Sequence, residues 1–205
     1  MNLPTCKRTA LLPPIALFVA IVLLRVLVVA FAPESWAGFS PLVAIVLCLS
    51  IILVRPVLWL VPAVAYLVSD VFISTQLYDT APSAVFLTAN LVFLFLLVCG
   101  GRAMGEKLQR FAPALLATTG GVLLSYLLLN TLSWIGNPGY SQTFAGWWQS
   151  QTIGLPGFPA SLTFLRNSLV GNLTFTAFFV AAAHYFPSKE SVSSMATTRQ
   201  SASTL

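Results

Sequence analysis

The chain has 205 residues, of which 58% are hydrophobic and 7% charged, with a mean hydropathy of +0.89. No water-soluble domain of this size hides that much apolar surface, so the composition excludes a soluble globule and points to a single bundle in lipid, its solvent the bilayer. The formal charge of +5 would suit nucleic acid in a soluble protein, but here the basic residues sit in short connections, where they signal topology; nucleic acid is excluded as a partner.

Residues 1–10 form a short basic leader containing Lys7 and Arg8. Apolar runs at 11–32, 40–54, 57–75, 84–100, 112–134 and 160–186 each predict a membrane-spanning helix. A hydrocarbon core of about 30 Å takes roughly 20 helical residues, because in lipid every backbone N–H and C=O is satisfied within its own segment. The predicted fold is an all-α integral membrane protein, a six-transmembrane-helix bundle occupying 11–186. The first run ends in Ala30-Phe31-Ala32, which resembles a signal-peptide cleavage site, yet its apolar stretch exceeds a signal core and Arg25 interrupts it; a retained helix is expected.

Lys7, Arg8, Arg55, Arg102, Lys107, Arg110, Lys189 and Arg199 all fall on one side of such a bundle, and the connections 33–39, 76–83 and 135–159 contain no Lys or Arg. The bias places both termini in the cytoplasm. The tail, 187–205, is rich in Ser and Thr without an apolar period and is expected to be disordered.

Within the spans, Arg25, Asp70, Asn90, Asn130, Arg166 and Asn167 lie ~6–10 Å below the outer boundary at 1.5 Å of rise per residue. Each intramembrane charge costs about 2.5–3.5 kcal/mol if it faces lipid. One outward-facing polar pocket lined by these six residues removes that cost. Its expected charge of +1 leaves one guanidinium beyond Asp70, suited to an anionic ligand, because the planar fork donates two parallel hydrogen bonds. The competing reading has the two arginines snorkelling to headgroups and Asp70 locking helices together.

The connection 135–159 is long enough to cover the pocket mouth, and Trp134, Tyr140, Trp147 and Trp148 are placed either as a lid or as an interfacial belt. Ala16 and Ala20 form a small-xxx-small pair, a helix-packing or partner-docking face. The turn Arg102–Arg110 is expected to meet anionic lipid.

Enzymatic chemistry has little to work with. His184 is the single histidine, the three cysteines Cys6, Cys48 and Cys99 form no CxxC pair, and Gly101–Lys107 lacks the Gly-Lys-Ser/Thr ending of a phosphate loop. No metal, no cofactor and no catalytic residue is expected.

Phe39-Ser40-Pro41-Leu42-Val43-Ala44, Ser69-Asp70, Asn130 with Trp134, and Phe164-Leu165-Arg166-Asn167-Ser168-Leu169-Val170-Gly171-Asn172 resemble an uncharacterised bacterial membrane family, domain-of-unknown-function family 6580, over residues 35–185. Where that family leads one to expect an acid after the span-six glycine, this chain has Asn172. More distantly, the chain resembles the substrate-binding (S) subunits of energy-coupling-factor importers, six-helix bundles with both ends cytoplasmic. That likeness implies a solute-binding uptake subunit for a small anionic nutrient, without its own ATPase, docking a transmembrane coupling subunit with ATPases through Ala16 and Ala20. The alternative is a structural or assembly subunit with no small-molecule ligand.

Overall fold

A computed structural model describes residues 12–31, 33–52, 60–77 and 79–185. The leader 1–10 with Cys6, the tail 187–205 and the predicted inner connection carrying Arg55 lie outside the described residues, so the expectations for them rest on sequence. Every described regular element is helical. In chain order the α-helices are α1 (Leu12–Phe31), α2 (Leu42–Ile52), α3 (Leu60–Phe72, continued by a π-helical turn Ile73–Leu77), α4 (Ala84–Met104), α5 (Phe111–Gly136), α6 (Phe144–Gln151) and α7 (Ser161–Tyr185), with short 3-10 helices at Glu34–Trp36 and Gly105–Gln109.

Each of the six apolar runs thus contains one helix, and three of the described helical stretches are long and apolar enough to cross a membrane: Leu60–Leu77, Ala84–Gln109 and Phe111–Gly136. The described part of α2 is only 11 residues long. In α7 the polar cluster Arg166, Asn167, Ser168 and Asn172 dilutes a helix that is otherwise long enough. No apolar period announces α6, which is capped by Thr143: its hydroxyl accepts the Gly146 N–H at 3.3 Å, satisfying one amide that a helix start leaves without an intrahelical acceptor.

The distribution of side chains is inverted relative to a water-soluble bundle. Leu23, Phe95, Leu116 and Phe178 are exposed, while Ser50, Ser69, Thr118, Asn172 and Thr176 are buried between helices. These hydroxyls have partners: Ser50 and Ser69 donate to the carbonyls of Leu47 and Tyr66 in their own helices, and Thr118 joins Thr176 across α5 and α7 at 2.9 Å. The apolar core is built around α2, whose Val43, Val46 and Leu47 pack on Phe93, Leu94 and Leu97 of α4 and on Val122 of α5.

Close helix approach depends on small residues. At Gly101 in α4 an added Cβ would run into the Ser50 hydroxyl and Cβ of α2. Gly101→Leu is expected to force α2 and α4 apart and lower the thermal midpoint in detergent by several degrees, whereas Gly100→Leu, where a Cβ meets open space, leaves it unchanged.

The α1 to α3 pairing is extensive, and α1 reaches the rest of the bundle through Ile21, which packs with Ile45 of α2 and Ala65 of α3. Ala16 and Ala20 are both exposed on α1.

Candidate functional site

A cavity of about 740 Å³ lies at one end of the bundle, lined by α1, α2, α3, α4, α5 and α7 and by the connections between α1 and α2, α3 and α4, and α5 and α7. The basic turn between α4 and α5, with Arg102, Lys107 and Arg110, is at the opposite end. Small-molecule sites commonly enclose about 300–1,000 Å³, so the volume suits a metabolite.

Arg25 of α1 and Asp70 of α3 meet in the wall of this cavity through a single contact, Nη2 to Oδ1 at 3.1 Å, with side chains 15% and 27% exposed. Tyr66 lies one turn before Asp70, which puts it on the same face of α3. The Arg25 Cζ stands 4.6 Å from the centroid of its ring, a cation-π geometry, and Asp70 and Asn90 flank it. Asn90 and Asn130 line the cavity from α4 and α5, and each donates one amide N–H back to its own helix, to the carbonyls of Phe86 and Tyr126 at 2.9 Å. Ile73 and Ser74 contribute from the π-helical turn, a distortion that often accompanies functional sites.

Arg166 and Asn167 are not in this wall. Asn167 donates to the carbonyls of Ser35 and Ala37 at 2.7 and 2.8 Å and accepts the Arg166 Nε–H at 3.1 Å, while Arg166 Nη2 donates to Ser35 O at 2.8 Å. Two residues on, Ser168 donates to Gly38 O at 3.0 Å, and Asn172 donates to Ser40 O at 2.7 Å. One face of α7 therefore clasps the whole segment 35–40. This corrects the expectation that Arg166 gives the pocket a charge of +1: among the described residues the cavity wall holds one guanidinium and one carboxylate, and they cancel.

The two most distinctive sequence blocks prove to be halves of this clasp. Gly38 takes a positive φ of 76°, and an added Cβ would strike the Phe164 ring; at Gly171 a Cβ would stand 3.1 Å from the Phe39 ring. Asn172, 1% exposed, completes the fit by accepting the Ala44 N–H at 2.8 Å, one of the free amides at the start of α2. It also donates to Ser168 O at 2.8 Å. An acid at 172 would accept from Ala44 but would set a carboxylate against two carbonyl oxygens; only the amide satisfies both sides.

The connection between α5 and α7 is fastened to the end of α5. Trp134 Nε1 donates to Ser141 O at 2.8 Å, Gln142 returns a bond to Trp134 O at 2.8 Å, Trp147 Nε1 donates to Thr131 Oγ1 at 3.0 Å, and the Tyr126 hydroxyl donates to Gln151 O. Tyr140, buried at 7% exposure, reaches the cavity wall together with Leu155 and Phe158, so this connection forms part of the enclosure. Trp134, Trp147 and Trp148 do not line the cavity, and Trp148 is exposed.

Tyr66, Ser74, Ser125 and Tyr126 line the cavity without being singled out by sequence. For two of them a signal existed: Tyr66 and Tyr126 precede Asp70 and Asn130 by four residues, one helical turn. Among the described residues no group of acidic, histidine and cysteine side chains could hold a metal ion. Cys48 is buried and Cys99 exposed, both as free thiols.

The sequence profile of a family of unknown function, DUF6580, matches residues 7–195. The chain belongs to this family. No curated protein and no solved structure matches it. The DUF6580 match spans all seven helices, the clasp and the cavity, so the site described above lies wholly within the family's domain.

Proposed function

We propose that this DUF6580 protein is a multi-pass protein of a bacterial inner membrane, six spans with both termini cytoplasmic, that binds a small water-soluble nutrient in the cavity and serves as the solute-binding subunit of an uptake system. The observation that carries the reading is the cavity itself: about 740 Å³, walled by ionic and amide side chains from four helices, at the end of the bundle opposite the basic turn. By the positive-inside rule that end faces outward, where a nutrient arrives. The apolar exterior of the helices supports the lipid setting. No phosphate-binding loop supplies a motor within the sequence, so movement of the solute falls to a coupling subunit with ATPases, and exposed Ala16 and Ala20 offer a surface for close helix docking.

A structural or assembly role is the second reading, favoured by one observation: Arg166, Asn167 and Asn172 spend their hydrogen bonds on holding helices and connections together. The two readings separate on mass spectrometry of small molecules released from the detergent-solubilised protein. Binding predicts one molecule in near-stoichiometric amount, lost in Ser125→Trp, which fills the cavity from α5 while leaving the clasp intact. Absence of any released molecule, with equal stability of both proteins, would favour the structural role.

A further inference from the structure

We infer that the cavity selects a ligand of zero net charge, with a hydrogen-bonding head group and an apolar body. This rests on the solute-binding reading and replaces the anionic ligand that the sequence suggested. Among the described residues that line the cavity, Arg25 and Asp70 are the only ones with formal charge, and they are paired with each other. The remaining polar wall is made of hydroxyls and amides, Tyr66, Ser74, Ser125, Asn90 and Asn130 among them, while Val28, Val43, Ile73, Phe86, Leu129 and Phe164 supply apolar surface.

An anion entering such a site must compete with Asp70 for Arg25, and the result sets two negative charges side by side in a poorly hydrated space. A cation meets the mirror-image problem beside Arg25. A neutral head group avoids both: it leaves the pair in place and uses the donors and acceptors around it. The contact between Arg25 and Asp70 is single-point, Nη2 to one carboxylate oxygen, so it leaves further guanidinium N–H groups to donate to a ligand acceptor. Either a non-ionic molecule bearing hydroxyl or amide groups or a zwitterion satisfies this chemistry, the zwitterion by placing its own two charges in the opposite sense to the pair.

The test is thermal unfolding of the purified full-length protein in detergent against a panel of metabolite-sized molecules. The panel holds equal numbers of carboxylates and phosphates, amines, non-ionic alcohols and amides, and zwitterionic amino acids. Stabilisation is expected from the non-ionic or the zwitterionic set, and which of the two responds identifies the head group. The best compound should bind at least tenfold more tightly than its analogue carrying a lone carboxylate or a lone ammonium. In Asp70→Asn the guanidinium is left unbalanced, so the preference should move by tenfold or more toward the carboxylate analogue. Strongest binding of an anion or a cation by the wild-type protein would overturn the inference and leave the solute-binding reading standing, as would a released molecule of that charge. If no panel member stabilises the protein and nothing small is released from it, both fall. The wild-type panel decides the matter even if Asp70→Asn fails to fold.

Discussion

Replacing Asn172 by Leu is expected to produce the largest loss of stability of any single substitution at the clasp. The side chain is 1% exposed and joins three backbone groups, Ala44 N–H, Ser40 O and Ser168 O. Leucine has nearly the same volume, so packing is little changed, but the Ala44 amide and the Ser40 carbonyl lose their partner in a setting without water. Each orphaned group costs about 1–3 kcal/mol, so the expected loss is on the order of 2–6 kcal/mol. Unfolding in detergent followed by circular dichroism checks it. Asn172→Gln is expected to fail as well, since its extra methylene has no room beside the Ser40 backbone. A neutral outcome for Asn172→Leu would mean that the fold does not depend on the bonds Asn172 makes to Ala44 and Ser40.

The second large effect concerns the ion pair in the cavity wall. Arg25→Met leaves the Asp70 carboxylate beside Tyr66 with no counter-charge, and Asp70→Leu leaves the guanidinium in the same position. Breaking a fully buried pair costs about 3–5 kcal/mol; at 15% and 27% exposure on a cavity the loss is expected nearer ~1–3 kcal/mol for either single change. The double variant Arg25→Met with Asp70→Leu should recover most of that, because an apolar pair carries no desolvation cost. A double-mutant cycle of unfolding free energies measures the coupling. If the two single losses simply add in the double variant, the contact contributes nothing to joining α1 with α3.

The double variant also separates stability from binding. It should be nearly as stable as the wild type and yet hold the ligand much more weakly, since the guanidinium donors and the carboxylate acceptor are gone and only the surrounding hydroxyls and amides remain. A protein whose polar layer serves only to hold helices together would show no such separation.

Much of the architecture was legible in the chain. Runs of about 20 apolar residues can satisfy their backbone only as helices, and each of the six predicted runs contains one helix. The location of polar groups at one level was legible too, because depth follows from position along a helix: Arg25, Asp70, Asn90 and Asn130 all reach the cavity. What depth cannot supply is azimuth. Arg166 lies at nearly the same level as Arg25, but the face of α7 that carries it is turned to segment 35–40, whose exposed carbonyls need donors. Nothing in the spacing of Arg166 and Asn167 distinguishes that face from one directed at a pocket. The helix α6 was hidden for a related reason, since its fixing bonds run from Trp147 and Gln151 to Thr131 of α5, a partner 16 and 20 residues away in the chain.

Sequence alone determined the six apolar helices and the end of the bundle to which the costly side chains belong, because each depends on local hydropathy and on a count of residues along an axis. Tertiary structure decided the charge of the cavity. Two arginines and one aspartate within the predicted spans allow a pocket of +1 or of zero, and the choice was made by the backbone carbonyls of Ser35 and Ala37, which claim the Arg166 and Asn167 donors and leave Arg25 to Asp70 alone. Those carbonyls are long-range partners, more than a hundred residues away along the chain, and such a pairing exists only once the helices have packed.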